Sequence, residues 1–178
     1  MDFWLHGGRV SLDLMATLGL RSGERLTDPE DAAAWLEAVQ LGPVAVDAEG
    51  LAELQRLRDG VAELVAAYLD QRQPPLAGLE LVNRHAAEGE RSPRLVVDRG
   101  WHLHRPPVDL GTALGTIARD CVELLGGPEA QRIRRCDAHG CSGIYLDGSR
   151  AGNRRWCDTR TCGNRSRVAA HRAKAEDD

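Results

Sequence analysis

The sequence predicts a mainly α protein with a small β component, in which a helical N-terminal domain containing a β-hairpin precedes a small cysteine-rich module. Between Asp28 and Gly126, apolar residues recur mostly at the three- and four-residue steps of amphipathic helices. After Gly127 this pattern gives way to a short segment that holds four of the five cysteines. With 178 residues, 42% of them hydrophobic, the chain is long enough for one sizeable core plus the module.

The first half of the chain is predicted to contain two well-delimited helices. Asp28-Pro29 is a helix start, with Asp at the N-cap and Pro at the first helical position, and Gly42-Pro43 ends that helix. A second helix runs from about Asp47 to Gln73, because its apolar residues form one stripe and Pro74-Pro75 follows. The first 20 residues are ambiguous, since their apolar residues fit both a strand and a helix.

The rest of the domain is predicted to add two helices and a hairpin. One helix covers Leu79 to Glu88, and a longer helix starts at an Asp109 cap and ends at the Gly126-Gly127-Pro128 run. Between them, Arg94 to Val97 and Trp101 to His104 are predicted to pair as a hairpin.

Three features of this region bear on function and domain organisation. His102 and His104 fall on the same face of their strand and are interpreted as the polar face of the hairpin, with half of a metal or ligand site as the alternative. Cys121 lies in the apolar stripe of its helix, so it is interpreted as a core thiol. The segment Glu129 to Arg135 is the best linker candidate, which divides the chain into domains at residues 1–129 and 130–178.

The four remaining cysteines form two identical pairs, Cys136/Cys141 and Cys157/Cys162, with four residues inside each pair and fifteen between the pairs. Two short cysteine clips around a loop of this length are typical of a structural zinc site, because each clip offers two thiolates from one turn. We therefore expect one structural Zn²⁺ on these four thiolates.

The alternatives to zinc are two disulfides or an iron–sulfur cluster. Disulfides need an oxidising compartment, and the chain begins without the pattern of a signal peptide. His139 lies inside the first clip and is interpreted as an exposed loop residue, because four cysteines already complete the ligand set.

The residues around the cysteines predict a treble-clef-like order of knuckle, hairpin and helix. Gly140 and Gly143 suit a tight knuckle around the first clip. Ile144 to Leu146 and Arg154 to Trp156 are two strand candidates joined by a turn-rich stretch.

The second clip constrains the helix that follows. A five-residue step rotates an ideal helix by about 500°, so Cys157 and Cys162 cannot both lie on one face. Either Cys157 precedes the helix, or Gly163-Asn164 breaks it. Asn164 is predicted to be the N-cap of a helix that runs through Ala175.

The run Arg154-Arg155-Trp156-Cys157, followed by Cys162-Gly163-Asn164-Arg165, resembles the CGNR zinc-finger family, which is named for the last four residues. Members of this family usually carry the finger behind an N-terminal ABATE domain and are described as stress-induced transcription regulators. The resemblance covers Arg134 to Lys174. It is looser in the N-terminal domain, where Gly8 to Thr17 resembles a Leu-Asp-Phe-x-Asn-Thr motif with Leu14 for Phe and Ala16 for Asn.

The formal net charge of −4 conceals a strong asymmetry along the chain. Residues 1–131 contain 12 Arg and Lys against 21 Asp and Glu, a net charge of −9, whereas residues 132–175 contain 11 against 3, a net charge of +8. Four thiolates on one Zn²⁺ reduce the second value to about +6. An acidic domain that carries a compact basic module is typical of a protein that binds nucleic acid through the module.

Helical spacing predicts which side chains of the module reach nucleic acid. A polar stripe at steps of three or four residues consists of Arg160, Asn164, Arg167, His171 and Lys174. Asn164 or Arg167 would reach base edges, and arginines of the preceding loop would contact phosphates. The alternative is a solvated helix face. The full predicted set is Arg150, Arg154, Arg155, Arg160, Asn164, Arg165, Arg167, His171, Arg172 and Lys174.

The favoured function is a transcription regulator whose finger binds DNA while the acidic domain senses a small-molecule or protein signal, or forms a homodimer. The alternatives are a protein-interaction module, or an RNA-binding module that stacks Trp156 and Tyr145 on unpaired bases. The domain carries no recognisable catalytic motif, so an enzyme is not expected. No apolar run approaches the roughly 20 residues that cross a bilayer. Free thiols and zinc favour the cytoplasm.

Overall fold

The structure, a computed structural model, describes residues 3–19, 23–89, 94–104 and 108–176, with side chains up to Arg172. Its described part confirms the mainly α class with a small β component. The elements are α1 (Val10–Met15), β1 (Leu18–Gly19), β2 (Gly23–Glu24), α2 (Pro29–Ala38), α3 (Ala48–Leu69), α4 (Leu76–Ala86), β3 (Arg94–Val97), β4 (Trp101–His104), α5 (Leu110–Gly126), β5 (Ile133–Arg135), β6 (Ile144–Leu146) and α6 (Asn164–Glu176). We call residues 3–129 the body and residues 130–176 the finger.

Three helices of the body start at the aspartates that the sequence indicates. The carboxylates of Asp28, Asp47 and Asp109 each accept a hydrogen bond from the backbone N–H three residues later, which satisfies a donor that the helix leaves free. Helix α3 ends earlier than the predicted Gln73, because Gln71 takes a positive φ of 53° and the N–H of Arg72 returns to the carbonyl of Ala67.

Helix α4 also differs from its prediction in its bounds, since it spans Leu76–Ala86 and not Leu79 to Glu88. Residues 10–15, which the sequence left ambiguous, form the helix α1. None of the helices in the described part of the chain is long and apolar enough to cross a membrane.

The body's core lies between α3, α4 and α5, with α1 and α2 packed against α3. Trp35, Leu57 and Ile117 are among its fully buried side chains. Cys121 is also fully buried, and burial raises the pKa of its thiol to about 12, which confirms a core thiol.

Strands β3 and β4 form the predicted antiparallel hairpin. Arg94 is opposite His104 and Val96 is opposite His102, so the two histidines share one face as predicted. All eight residues of the hairpin are exposed.

The segment predicted as a linker is instead structured and packed. A short 3-10 turn, Ala130–Arg132, leads directly into β5. The side chain of Ile133 on β5 is 1% exposed and belongs to the body's core, and Ile144 and Leu146 of β6 pack against the same core. The linker prediction was wrong. Strand β5 has a single apolar residue, the fully buried Ile133, and the two arginines that follow it give no alternating apolar pattern that would indicate a strand. Strands β5 and β6 of the finger therefore pack on the body's core, whereas the residues around the metal site form a second, smaller core.

Candidate metal centre and nucleic-acid interface

Four thiols from two separate parts of the finger converge on one point. The Sγ atoms of Cys141, Cys157 and Cys162 lie 3.6 to 3.7 Å from one another, and all four, including Cys136, lie within 4.8 Å. A tetrahedral zinc ion with Zn–S bonds of about 2.3 Å would place its sulfurs about 3.8 Å apart. The four thiols therefore fit one structural zinc ion, and all the cysteines are free of disulfides. His139 is exposed and lies outside this cluster.

Backbone amides around the cluster point at sulfur. The N–H of Gly143 donates to Cys141 Sγ and the N–H of Cys157 donates to Cys136 Sγ, each at 3.4 Å. Gly140 has a φ of 65°, as the predicted knuckle requires. A side chain at Gly143 would place its Cβ 2.9 Å from Cys157 Sγ, so only glycine leaves room for the cluster.

The electrostatics of the cluster favour a bound cation. Burial and the neighbouring thiols raise the pKa of Cys157 far above its ordinary value, and burial also raises the pKa of Cys162. Burial acts in the same direction on Cys136, but hydrogen bonds from the backbone of Cys157 and Ala138 outweigh it and lower the pKa of that thiol. Four thiolates this close together repel one another unless they bind a cation. A structural zinc ion would supply the positive charge, and the four thiolates would fill all of its coordination positions.

The second clip shows how the helical segment starts. Cys157 precedes the helix, which confirms the first of the two predicted arrangements. Asp158 is the N-cap, since its carboxylate accepts hydrogen bonds from the N–H of Arg160 and the hydroxyl of Thr161. A π-helical turn, Thr159–Gly163, then carries Cys162 to the metal site before α6 begins. The prediction of Asn164 as N-cap is wrong, because Asn164 already has helical φ and ψ.

The predicted strand at Arg154 to Trp156 is also wrong, because the partner of β6 is β5. The buried carboxylate of Asp147 accepts from the N–H of Ser149 and of Arg154, which closes the intervening loop without a strand ladder. The carbonyl of Arg155 accepts from the N–H of Asp137, so this stretch is tied to the knuckle.

Arg154 has a structural position within the finger. Its guanidinium donates to the carbonyl oxygens of Trp156 and Cys157, and it lies 4.4 Å from the ring centroid of Tyr145. Tyr145 is fully buried, donates its hydroxyl to the Arg154 carbonyl, and has its pKa raised by burial to about 12. Trp156 is half-buried in the finger's own core.

The predicted nucleic-acid residues fall into three groups. Arg154 and Arg165 are half-buried against the metal site, where Arg165 donates to Cys162 Sγ at 3.5 Å. Arg155 is exposed and pairs with Asp137 at 2.8 Å. The exposed remainder of the described side chains is Arg150, Arg160, Asn164, Arg167, His171 and Arg172. Lys174 lies on α6, but its side chain falls outside the described residues.

A cavity of about 340 Å³ lies between body and finger, and the sequence alone did not indicate it. Its walls include Met15 and the buried Arg58 from the body, and Cys141 and Arg165 from the finger. Trp4 also lines the cavity and packs against the finger's core. Nothing in the local pattern around Trp4 signals this contact, because it joins residues more than 130 positions apart.

Further contacts fix the finger on the body. The N–H of Leu146 donates to the Gly7 carbonyl at 2.8 Å, and Arg135 pairs with Asp70 at 2.9 Å. Because the cavity lies inside this interface, a molecule within it would contact both parts at once.

Two family matches cover most of the chain. Residues 8–128 match the ABATE family, described as "putative stress-induced transcription regulator", and residues 132–175 match the CGNR zinc finger. These matches confirm the resemblance that the cysteine and arginine motifs carry. No curated protein matches the chain.

Proposed function

We propose, from the premise that the chain belongs to the ABATE family and carries a CGNR zinc finger, that it is a transcription regulator whose finger binds duplex DNA. The observation that carries the proposal is the exposure of α6. Every side chain from Arg167 to Arg172 is exposed, although Cys162 holds the start of the same helical segment at the metal site. The zinc ion would thus hold one end of a basic helix and leave the rest free.

The dimensions and charge of this helix suit a DNA groove. Its 13 residues span about 20 Å, and a major groove about 12 Å wide admits an α-helix. The finger segment 132–175 has a net charge of +8, against −9 for residues 1–131. This asymmetry favours binding through the finger alone, because the acidic body is repelled by phosphates.

The exposed side chains divide into two proposed roles. Arg160, Arg167 and Arg172 would contact phosphates and set the position of the helix, and Asn164 and Arg167 would also reach base edges. Arg154 and Arg165 would instead support the metal site, since their guanidiniums already contact finger atoms. The buried position of Tyr145 leaves it unable to stack on a base, which disfavours RNA relative to DNA.

We propose further that the cavity between body and finger is where a small-molecule signal binds. Its volume of about 340 Å³ is in the range of small-molecule sites. Its lining is largely apolar, and its charged and hydroxyl side chains are those of Arg58, Asp59, Ser142, Thr161 and Arg165. A ligand that contacts both parts would favour one placement of the finger over others, which is the requirement for coupling a signal to DNA binding. We infer a role in binding and not in catalysis, and reduced thiolates on zinc would suit the reducing cytoplasm.

The experiment is a set of binding titrations of the full zinc-loaded chain, at low salt, against duplex DNA, single-stranded RNA and polyglutamate. Duplex DNA should bind at least about tenfold more tightly than the other two. Equal binding to polyglutamate would overturn the proposal in favour of a protein-interaction module.

A matched pair of variants locates the surface. Arg167→Ala should weaken binding to a preferred duplex by about 1 to 3 kcal/mol and flatten its base preference. Arg84→Ala removes an arginine that is similarly exposed, at 65%, but lies on the body, and it should leave affinity unchanged. Equal effects of the two changes would show that binding follows overall charge and not the finger helix.

A further inference from the structure

The hairpin of β3 and β4 has one face made entirely of apolar side chains. Its register places Leu95 opposite Leu103 and Val97 opposite Trp101, and these four alternate with the residues of the other face. We call this set the apolar hairpin face. The opposite face carries Arg94, Val96, His102 and His104.

The apolar hairpin face is open to solvent. Leu95 is 67% exposed, Val97 66%, Trp101 76% and Leu103 56%. A two-stranded hairpin alone is marginally stable in water, and an exposed apolar surface of this kind marks an interaction site.

We propose that the apolar hairpin face packs against the same face of a second copy of this chain, forming a homodimer. The face carries no charged or hydrogen-bonding group except the indole N–H of Trp101, so its partner must itself be apolar. A second copy supplies such a face in matching shape, because a two-fold axis pairs each patch with itself. Two hairpins meeting face to face would form a small β-sandwich with the apolar residues inside.

The area of the face agrees with a dimer interface. Four such side chains at these exposures present on the order of 500 Å² per protomer. A stable interface buries about 800 Å² per partner, so the face would supply most of it and form its apolar centre. Trp101 is the largest and most exposed member, which makes it the expected energetic anchor.

Dimer formation through the apolar hairpin face does not depend on DNA binding. In a dimer, two basic helices α6 would belong to one assembly, so a duplex with two half-sites would be bound by both at once. The test therefore contains no nucleic acid, and its failure would leave the DNA-binding proposal standing.

The experiment is sedimentation equilibrium of the zinc-loaded chain between micromolar and about 100 µM. The wild type should reach twice its 19.4 kDa chain mass within this range. Trp101→Lys should raise the dimer dissociation constant at least about tenfold, because it places a charge at the centre of the interface. Val96→Lys is the matched control on the opposite face and should leave the constant unchanged.

A second variant guards against local misfolding. Leu95→Lys changes the other strand of the same face and should weaken the dimer in the same direction, with an unchanged helical circular dichroism spectrum. A wild type that stays monomeric at the highest concentration would overturn the proposal. It would also be overturned if Val96→Lys weakened the dimer as much as Trp101→Lys did. Association of the monomer with lipid vesicles would assign the face to a membrane surface instead.

Discussion

Replacing Arg154 by alanine should weaken the zinc-bound finger far more than replacing its neighbour Arg155. The Arg154 guanidinium donates to two carbonyl oxygens, those of Trp156 and Cys157, and contacts the face of Tyr145. The side chain of Arg155 is 66% exposed, and its ion pair with Asp137 is also open to solvent. Two adjacent arginines therefore differ in role, although the sequence pattern treats them alike.

The magnitudes follow from the contacts. A hydrogen bond from a charged donor contributes about 1.5 to 3 kcal/mol, and a partly exposed cation–π contact contributes about 0.5 to 1 kcal/mol. Because Arg154 is half-buried, solvent weakens these contacts, and we use the low end of each range. Arg154→Ala should then lower the stability of the zinc-bound finger by about 2 to 4 kcal/mol. The exposed ion pair of Arg155 with Asp137 and its exposed contact with the Trp156 ring, 5.4 Å from the centroid, together contribute about 1 kcal/mol.

The assay is competition for zinc between the protein and a chromophoric chelator. Metal binding and folding are coupled in such small modules, so a loss of 2 to 4 kcal/mol becomes a zinc affinity about 30- to 1000-fold weaker. Arg155→Ala should shift zinc affinity less than about fivefold. Equal zinc affinities for the two variants would refute the structural role of Arg154, and with it the account of how this loop is held.

Three further changes test the metal site, the packing of β5 on the body's core and the N-terminal segment. Elemental analysis of the wild type should give one zinc per chain, and Cys157→Ser should remove it and unfold the finger, because metal binding contributes on the order of 10 kcal/mol to such modules. Zinc retained by this variant would contradict the four-thiolate site. Ile133→Ala should lower the free energy of unfolding in urea by about 2 to 4 kcal/mol, because Ile133 is fully buried in the body's core. The partly exposed control Val168→Ala should change it by less than about 0.5 kcal/mol, and similar effects of the two changes would argue against this packing of β5. Burial raises the pKa of Asp13 in the folded protein from 3.8 to about 6. The free energy of unfolding should therefore fall as the pH rises from about 3.8 to about 6, because the buried carboxyl group has to ionise. Asp13→Asn should therefore add about 1 to 2 kcal/mol near pH 7 and flatten the pH dependence measured by thermal unfolding, and an unchanged profile would refute this reasoning.

Helix starts and the metal ligands could be predicted from the sequence because their signals are local. An aspartate cap acts on the N–H three residues away, and each cysteine clip lies within one turn. The hairpin of β3 and β4 could also be predicted, since a turn between two short apolar segments defines it within eleven residues.

The elements of the finger that the sequence predicted wrongly depend on contacts between residues far apart in the chain. Ile133 forms a strand because its side chain fills the body's core, and Arg154 is held by carbonyls that only the folded loop presents. The π-helical turn before α6 arises because Cys162 must reach the metal, a requirement that propensity does not contain. For the same reason the cavity beside Trp4 could not be foreseen, since it exists only once the finger is docked.

The central claim is that the exposed arginines of α6 and of the π-helical turn before it bind DNA phosphates, and the salt dependence of binding tests it most directly. Each phosphate contact adds about 0.9 to the slope of log affinity against log salt concentration. With zinc bound, an Arg160→Ala, Arg167→Ala and Arg172→Ala triple variant should lower the magnitude of that slope by about 3 relative to the wild type. A slope unchanged by the triple substitution, with one zinc per chain retained, would contradict the claim.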